Sequence, residues 1–152
     1  MIGMPNSKLL TIAVPAYNAA SYLHMCLDSL VRSGDEVEVL VVNDGSKDGT
    51  LQVARDYAER YPGIVVAVDQ ENRNWGGAVN HALELASGTF FYIVDSDDWL
   101  DSAKLAEVVS RLRMLEEQQA GVDLYMVNYV YNRVENGDRH TISYEKLLPS
   151  DK

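Results

Sequence analysis

The sequence predicts an α/β fold: a mainly parallel open sheet with helices on both faces, followed by an antiparallel hairpin near the C-terminus. Three observations predict it. Four short apolar, β-branched runs alternate with four segments whose apolar residues recur at helical spacing. The connections between them are short, as in consecutive strand-helix units. Asn136-Gly137, the strongest short hairpin signal, then follows a run rich in Val and Tyr.

Taken in order, Leu9 to Val14 reads as a buried first strand closed by Pro15. Asn18 or Ser21 is placed to cap the next helix, where Leu23, Cys26, Leu27, Leu30 and Val31 form one apolar stripe. Ser33-Gly34-Asp35 ends it, and Val37 to Val42 is a second strand that leaves through Asn43-Asp44-Gly45-Ser46. Asp48 or Thr50 caps a second helix through Arg60, with Val53, Ala54, Tyr57, Ala58 and Tyr61 inward and Pro62-Gly63 as its stop. Ile64 to Val68 is the third strand, and the polar stretch Asp69 to Asn74 leads into Trp75-Gly76-Gly77.

A third helix from about Ala78 to Ala86 turns Val79, Ala82, Leu83 and Ala86 inward. Phe90 to Val94 carries no charge and reads as a central strand buried on both faces. Asp101 caps a fourth helix, Ser102 to about Gln119, that buries Leu105, Val108, Val109, Leu112 and Leu115. Val122 to Tyr131 and His140 to Tyr144 are the two strands of the hairpin, and Glu145 to Lys152 shows no pattern.

A chain of 152 residues is the size of one ordinary domain. Its net charge of -10 argues against nucleic acid, whose binding draws on clustered Lys and Arg. Cys26 is the only cysteine, so there is neither an internal disulfide nor a Cys-based zinc site, and a reducing compartment fits best. Met1 to Leu10 resembles neither a signal peptide nor an anchor, and no later run reaches the length of a membrane span. The expected place is the cytoplasm, with docking at the inner face of the membrane left open to regions outside this chain. Oligomeric state is not legible.

The chemistry is concentrated where apolar runs end. Asp95, Asp97 and Asp98 fall within four residues at the C-terminal end of the fourth strand. Ligands bind along that edge of open α/β sheets, and alternate acids there can hold a divalent metal against phosphate oxygens. The blander alternative is a solvated turn. Asp44 closes the second strand and is either a turn-former before Gly45 or an acceptor for a base or ribose. Tyr17 either stacks on a base or covers the sheet edge, and Trp75-Gly76-Gly77 either presents backbone donors to an anion or only turns.

Several classes fall away. The loop after the first strand, Pro15-Ala16-Tyr17-Asn18, lacks Gly-x-Gly-x-x-Gly, which disfavours a nicotinamide dehydrogenase, and no P-loop is present. Asp44 to Gly49 begins like a calcium loop, but its twelfth position is Arg55 rather than Glu. A receiver module needs acids after the first strand, where this chain has Pro15-Ala16-Tyr17. A nucleotidyl- or phosphoryl-transfer enzyme would want a glycine-rich phosphate loop or a basic residue there. His24, His81 and His140 show no metal-ligand spacing and read as surface or satisfied histidines, and Cys26 as core.

Together, Thr11-Ile12-Ala13-Val14-Pro15-Ala16-Tyr17-Asn18, Val41-Val42-Asn43-Asp44-Gly45-Ser46-Lys47-Asp48-Gly49-Thr50 and Asp95-Ser96-Asp97-Asp98-Trp99 resemble a family 2 glycosyltransferase of the GT-A fold. The resemblance covers about Leu9 to Asp101. It implies that Pro15, Ala16, Tyr17 and Asn18 line a nucleotide pocket, that Asp44 contacts the base, and that Asp95, Ser96 and Asp97 meet the donor. Asp95 lies mainly on the sugar side and Asp97 on the metal, Mn2+ or Mg2+, with Asp98 as a further participant.

The implied reaction is transfer of a sugar from a nucleotide diphosphate donor, UDP-linked, to an acceptor hydroxyl of a glycan or lipid-linked glycan of the cell envelope, with inversion. Residues 7–119 would be the donor-binding core, and 120–152 a strand and hairpin that begin the acceptor side and are cut short. The catalytic base is expected downstream, and neither Asp123 nor Asp138 matches a motif for it. A missing acceptor half would leave Tyr125, Tyr129, Tyr131 and Tyr144 looking exposed. Trp75 departs from the family's small polar residues at the donor pocket's wall. The alternative reading is a catalytically incomplete nucleotide-binding or interaction domain.

Overall fold

Each apolar run becomes a strand and each stripe a helix in the computed structural model, which describes residues 8–133, 135 and 137–144. In chain order they are β1 (Leu10–Ala16), α1 (Leu23–Leu30), β2 (Val37–Asp44), α2 (Thr50–Arg60), β3 (Val65–Gln70), α3 (Asn74–Leu85), β4 (Phe90–Ile93), α4 (Ser102–Glu117), β5 (Tyr129–Arg133) and β6 (Asp138–Ile142). β1 to β4 make one parallel sheet in the order β3-β2-β1-β4, and β5 and β6 pair antiparallel as a separate hairpin. The chain steps outward from β1 to β2 to β3, then returns to the other side of β1 for β4. The strand order therefore reverses between β1 and β4.

Helices cover both faces, as expected. On one, Ile12, Val14, Val39 and Val41 meet Leu23, Leu27 and Leu30 of α1, Ala54 and Tyr57 of α2, and Leu105, Val109 and Leu112 of α4. On the other, Ala13, Leu40 and Val42 meet Ala78 and Ala82 of α3. That second face also buries a polar cluster. Glu38 Oε1 accepts from Thr11 Oγ1 at 2.5 Å and from the Ser87 amide at 2.6 Å, and the Gly88 amide donates to Thr11 Oγ1 at 2.9 Å. These bonds seat the turn after α3 on the sheet.

Several expectations are corrected. β1 runs through Pro15 to Ala16. Leu9 and Ala13 direct their carbonyls to Phe90 and Val94, so Pro15, next in that alternation, faces past the end of β4 and its missing N–H leaves no partner wanting. Neither Asn18 nor Ser21 caps α1, whose cap Tyr22 has no side-chain bond. α2 has Gly49 at its cap, and Asp48 instead accepts from the Thr50 amide at 3.0 Å from one residue earlier. α3 starts four residues ahead of expectation, which buries Ala78 and leaves Leu83 56% exposed.

β4 is an edge strand of the described sheet, with Tyr92 exposed, rather than one buried on both faces. Of Val122 to Tyr131 only the last three residues enter β5, because only they find a partner in β6. Gly137 lies in the connection, while Asn136 and the tail from Glu145 fall outside the described residues. Tyr125, Tyr129 and Tyr131 are exposed and Tyr144 is half-buried. Asp101 does cap α4, accepting from the amides of Ala103 and Lys104 at 2.9 and 3.1 Å. Among the described residues no helix is long and apolar enough to cross a membrane.

The packing sets two stability expectations. A Cβ at Gly88 would lie 2.5 Å from the Thr11 backbone nitrogen, whereas one at Gly76 meets nothing within 4 Å. Gly88→Ala should therefore lower urea-unfolding stability by about 1–3 kcal/mol, and Gly76→Ala should not lower it. Asp101→Ala, losing the cap of α4, should cost about 1 kcal/mol in the same measurement.

Candidate functional site

Because β1 to β4 are parallel, their C-terminal ends share one edge, and the polar residues at the exit of each strand meet there. From β1 come Tyr17 and Asn18, from β2 Asp44, from β3 Gln70 and the loop to α3, and from β4 the acids. Asp44 is 3% exposed and pairs in register with Gln70. A buried carboxylate must be hydrogen-bonded. Asp44 Oδ1 accepts from Gln70 Nε2 and from the Arg73 amide, both at 2.7 Å, and the Asp44 carbonyl accepts from Asn72 Nδ2 at 2.9 Å. Both recorded side-chain bonds end on Oδ1.

Gly45 makes this approach possible. It has φ +67°, and a Cβ there would lie 2.7 Å from the Asn72 backbone nitrogen. The loop after β1 is tied to the same region from the other side. Asn18, at φ +49°, gives its amide to Ser46 Oγ at 3.0 Å and accepts from the Lys47 amide at 2.9 Å through Oδ1. The next two amides, of Ala19 and Ala20, donate to Thr50 Oγ1 and Asp48 Oδ2. Tyr17 is left 49% exposed at this rim.

The acids after β4 form a tight turn in which the Asp98 amide donates to the Asp95 carbonyl at 2.9 Å. Ser29 of α1 anchors the exit of that turn, accepting from the Leu100 amide at 3.1 Å and, through its carbonyl, from Ser102 Oγ at 2.9 Å. Trp75 Nε1 donates to Asp95 Oδ1 at 2.7 Å. Partial burial first, then the charges of Asp97 and Asp95, push the Asp98 carboxyl upward. Burial first, then Asp98, Asp97 and Asp95, push the Cys26 thiol up to about 12. The acids thus act as one negative patch felt through the first turns of α1.

Arg73 and Trp75, two residues apart at the start of α3, touch Asp44 and Asp95 respectively, so the ends of β2 and β4 are joined across the rim. Asn74 between them has φ +62°, a backbone state that asparagine tolerates better than most residues. Of the candidate residues, Tyr17, Asn18, Asp95 and Asp97 are exposed, Ser96 is half-buried, and Pro15, Ala16 and Asp44 are buried. Pro15 and Ala16 lie inside β1, so their side chains belong to the strand.

Gln70, Asn72 and Arg73 were not singled out by the sequence, which reads 69–74 as a polar connection. The available signal was register: two polar residues ending β3 stand opposite two ending β2. Among the described residues no three His, Cys, Asp or Glu side chains are arranged to hold a metal ion.

The sequence model described as glycosyl transferase family 2 matches residues 11–151. A glycosyltransferase of Mycoplasma genitalium, itself uncharacterised, is 38% identical over 101 residues, 63% of this chain and 34% of that protein. S. aureus TarS, residues 1-349 in complex with UDP-GlcNAc, gives a TM-score of 0.63 at 30% identity, covering 73% of this chain and 32% of that one. A mannosyltransferase from Pyrobaculum calidifontis in complex with GDP-Man and Mn2+ gives 0.59 at 30% identity, covering 69% and 32%. The chain spans about a third of the length of each.

The burial of the Cys26 thiol can be checked by alkylation. At pH 8 Cys26, raised to about 12, holds its proton, so the native protein should resist iodoacetamide. Labelling should become rapid only in denaturant, measured by mass spectrometry; rapid labelling of folded protein would contradict the arrangement.

Proposed function

The chain belongs to glycosyl transferase family 2, and from that premise we propose that its rim of strand ends binds the nucleotide-sugar donor of an inverting glycosyl transfer. The α/β sheet is of the GT-A type. The observation that carries the reading is the junction at α3, where neighbouring residues bond Asp44 at one end of the rim and Asp95 at the other. A nucleoside diphosphate has two chemically distinct ends, and this rim offers a distinct site for each.

At the base end, Asp44 accepts from a base N–H, and the exposed ring of Tyr17 packs on the base face. Asn18, Pro15 and Ala16 shape the wall, the last two through their backbone. At the other end Asp95 accepts from ribose hydroxyls, with Ser96 beside it, and Asp97 faces the diphosphate. Partial burial, with the charges of Asp97 and Asp95 added to it, raises the Asp98 carboxyl, and an oxygen-only donor set of one or two carboxylates suits Mn2+ or Mg2+ shared with phosphates. Asp97, with Asp95, would hold that ion. When bound it supplies the positive charge that a departing diphosphate requires.

UDP is the donor nucleotide favoured here, because a carboxylate at Asp44 matches the imide N–H of uracil; the TarS complex with UDP-GlcNAc lends support. The acceptor hydroxyl attacks the anomeric carbon from the face opposite the leaving diphosphate, and the base that takes its proton lies outside the residues assigned here. Residues 7–119 form the donor part, and 120–152 begin the acceptor side. A glycan or lipid-linked glycan acceptor, of cell-envelope polysaccharide type, and a cytoplasmic setting at the membrane's inner face complete the reading.

Calorimetric titration with UDP, with and without Mn2+, tests it. Affinity should rise with Mn2+, and Asp97→Asn should weaken the metal-supported component by roughly tenfold or more. Folded protein that binds no UDP under either condition would remove the UDP assignment and leave the interaction-domain alternative standing.

A further inference from the structure

The Asp44 carboxylate is the start of a longer polar chain. Gln70 Nε2 donates to Asp44 Oδ1 at 2.7 Å, and on the far side of the same amide Gln70 Oε1 lies 2.7 Å from His81 Nδ1. Asp44 Oδ1 only accepts here, from Gln70 Nε2 and from the Arg73 amide, so the Gln70 amide turns its NH2 toward it. Its carbonyl oxygen, which also only accepts, is then left facing His81. Nδ1 of His81 must therefore carry a proton, in the Nδ1–H tautomer or the cation; the opposite tautomer would set two lone pairs against each other.

We propose that Gln70 and His81 are positioning residues for base selection: His81 Nδ1–H fixes the Gln70 amide, which with the Arg73 amide saturates Asp44 Oδ1 and aims Oδ2 at a base N–H. The inference rests on the reading of Asp44 as the base acceptor. Its consequence is directional. An oxygen whose lone pairs are held in one orientation rewards a base that donates at that point, as uracil does through N3–H, and penalises cytosine, whose N3 only accepts. Burial makes the orientation strict at the acid, since a half-satisfied carboxylate at 3% exposure is costly. His81 sits two turns into α3, on the helix whose start already holds Asp44 and Asp95, so the chain spans strand, strand and helix.

Two measurements test this. Two-bond proton–nitrogen spectra of the nucleotide-free protein, with three histidines to assign, should show His81 Nδ1 protonated at neutral pH. An unprotonated Nδ1 overturns the proposal whatever the protein binds. Calorimetry then compares UDP, CDP and N3-methyl-UDP. The parent should prefer UDP, and His81→Leu should shrink that preference by about tenfold. His81→Asn, whose amide can donate from nearly the position of Nδ1, should restore it to within about twofold.

Gln70→Met, which removes both amide bonds at similar size, should behave like His81→Leu and serves if that variant fails to fold. If the parent prefers UDP and Asp44→Asn abolishes the preference while His81→Leu and Gln70→Met keep it, the positioning role is wrong and the Asp44 reading stands. If the parent itself does not distinguish the three nucleotides, the Asp44 reading fails and this inference with it.

Discussion

A carboxylate taken almost fully out of water has to be met by hydrogen bonds, and the need of Asp44 for them organises the edge of the sheet. Meeting it requires β3 to run on to Gln70 so that the register delivers an amide opposite the acid. It requires the following loop to fold back until Asn72 and Arg73 reach the end of β2, which only a glycine at position 45 allows. And it requires α3 to begin at once, since the amide of Arg73 is spoken for before the helix starts. A short stretch of sequence between two regular elements is thereby fixed without any apolar core of its own.

That dependence explains which parts of the fold were legible. The stripe of α1 and the β-branched run of β2 carry their own burial signal, and Leu23, Leu27, Leu30, Val39 and Val41 are all fully buried as the periodicity requires. Asp69 and Gln70 have low strand propensity, so nothing local extends β3 through them; they pair because β2 continues opposite. Trp75-Gly76-Gly77 reads as a turn by its glycines, yet the tertiary bonds of Arg73 and Trp75 hold it as the first turn of α3. The opposite error occurs at Val122 to Tyr131, where strand-forming residues are plentiful and only Tyr129 onward has a partner.

The candidate site divides in the same way. The acids at 95, 97 and 98 stand out because an apolar strand stops abruptly at them, and Asp44 because it closes another. Their supports are ordinary residues: a glutamine, an indole N–H, a serine on α1. Their meaning comes from position alone. Ser29 is a half-buried helical serine until its hydroxyl and carbonyl are found holding Leu100 and Ser102, the exit of the acidic turn. His81 showed no metal-ligand spacing and is indeed satisfied, but by an oxygen whose orientation is dictated from the far end of the chain of bonds.

α3 is where these local bonds become one mechanical unit. Arg73 contacts the acid of β2, Trp75 the acid after β4, and His81 the glutamine of β3. The helix that carries them rests on the sheet through Ala78 and Ala82, both fully buried, against Ala13, Leu40 and Val42. A close-packed seat of small side chains resists sliding and tilting, because either motion opens voids or overlaps. The separation between the two acids is then set by how deeply the alanines let α3 sink. A larger residue at either position would lift the helix and loosen both ends of the rim together, although it touches neither acid. Packing on this face and the geometry of this edge are therefore one constraint.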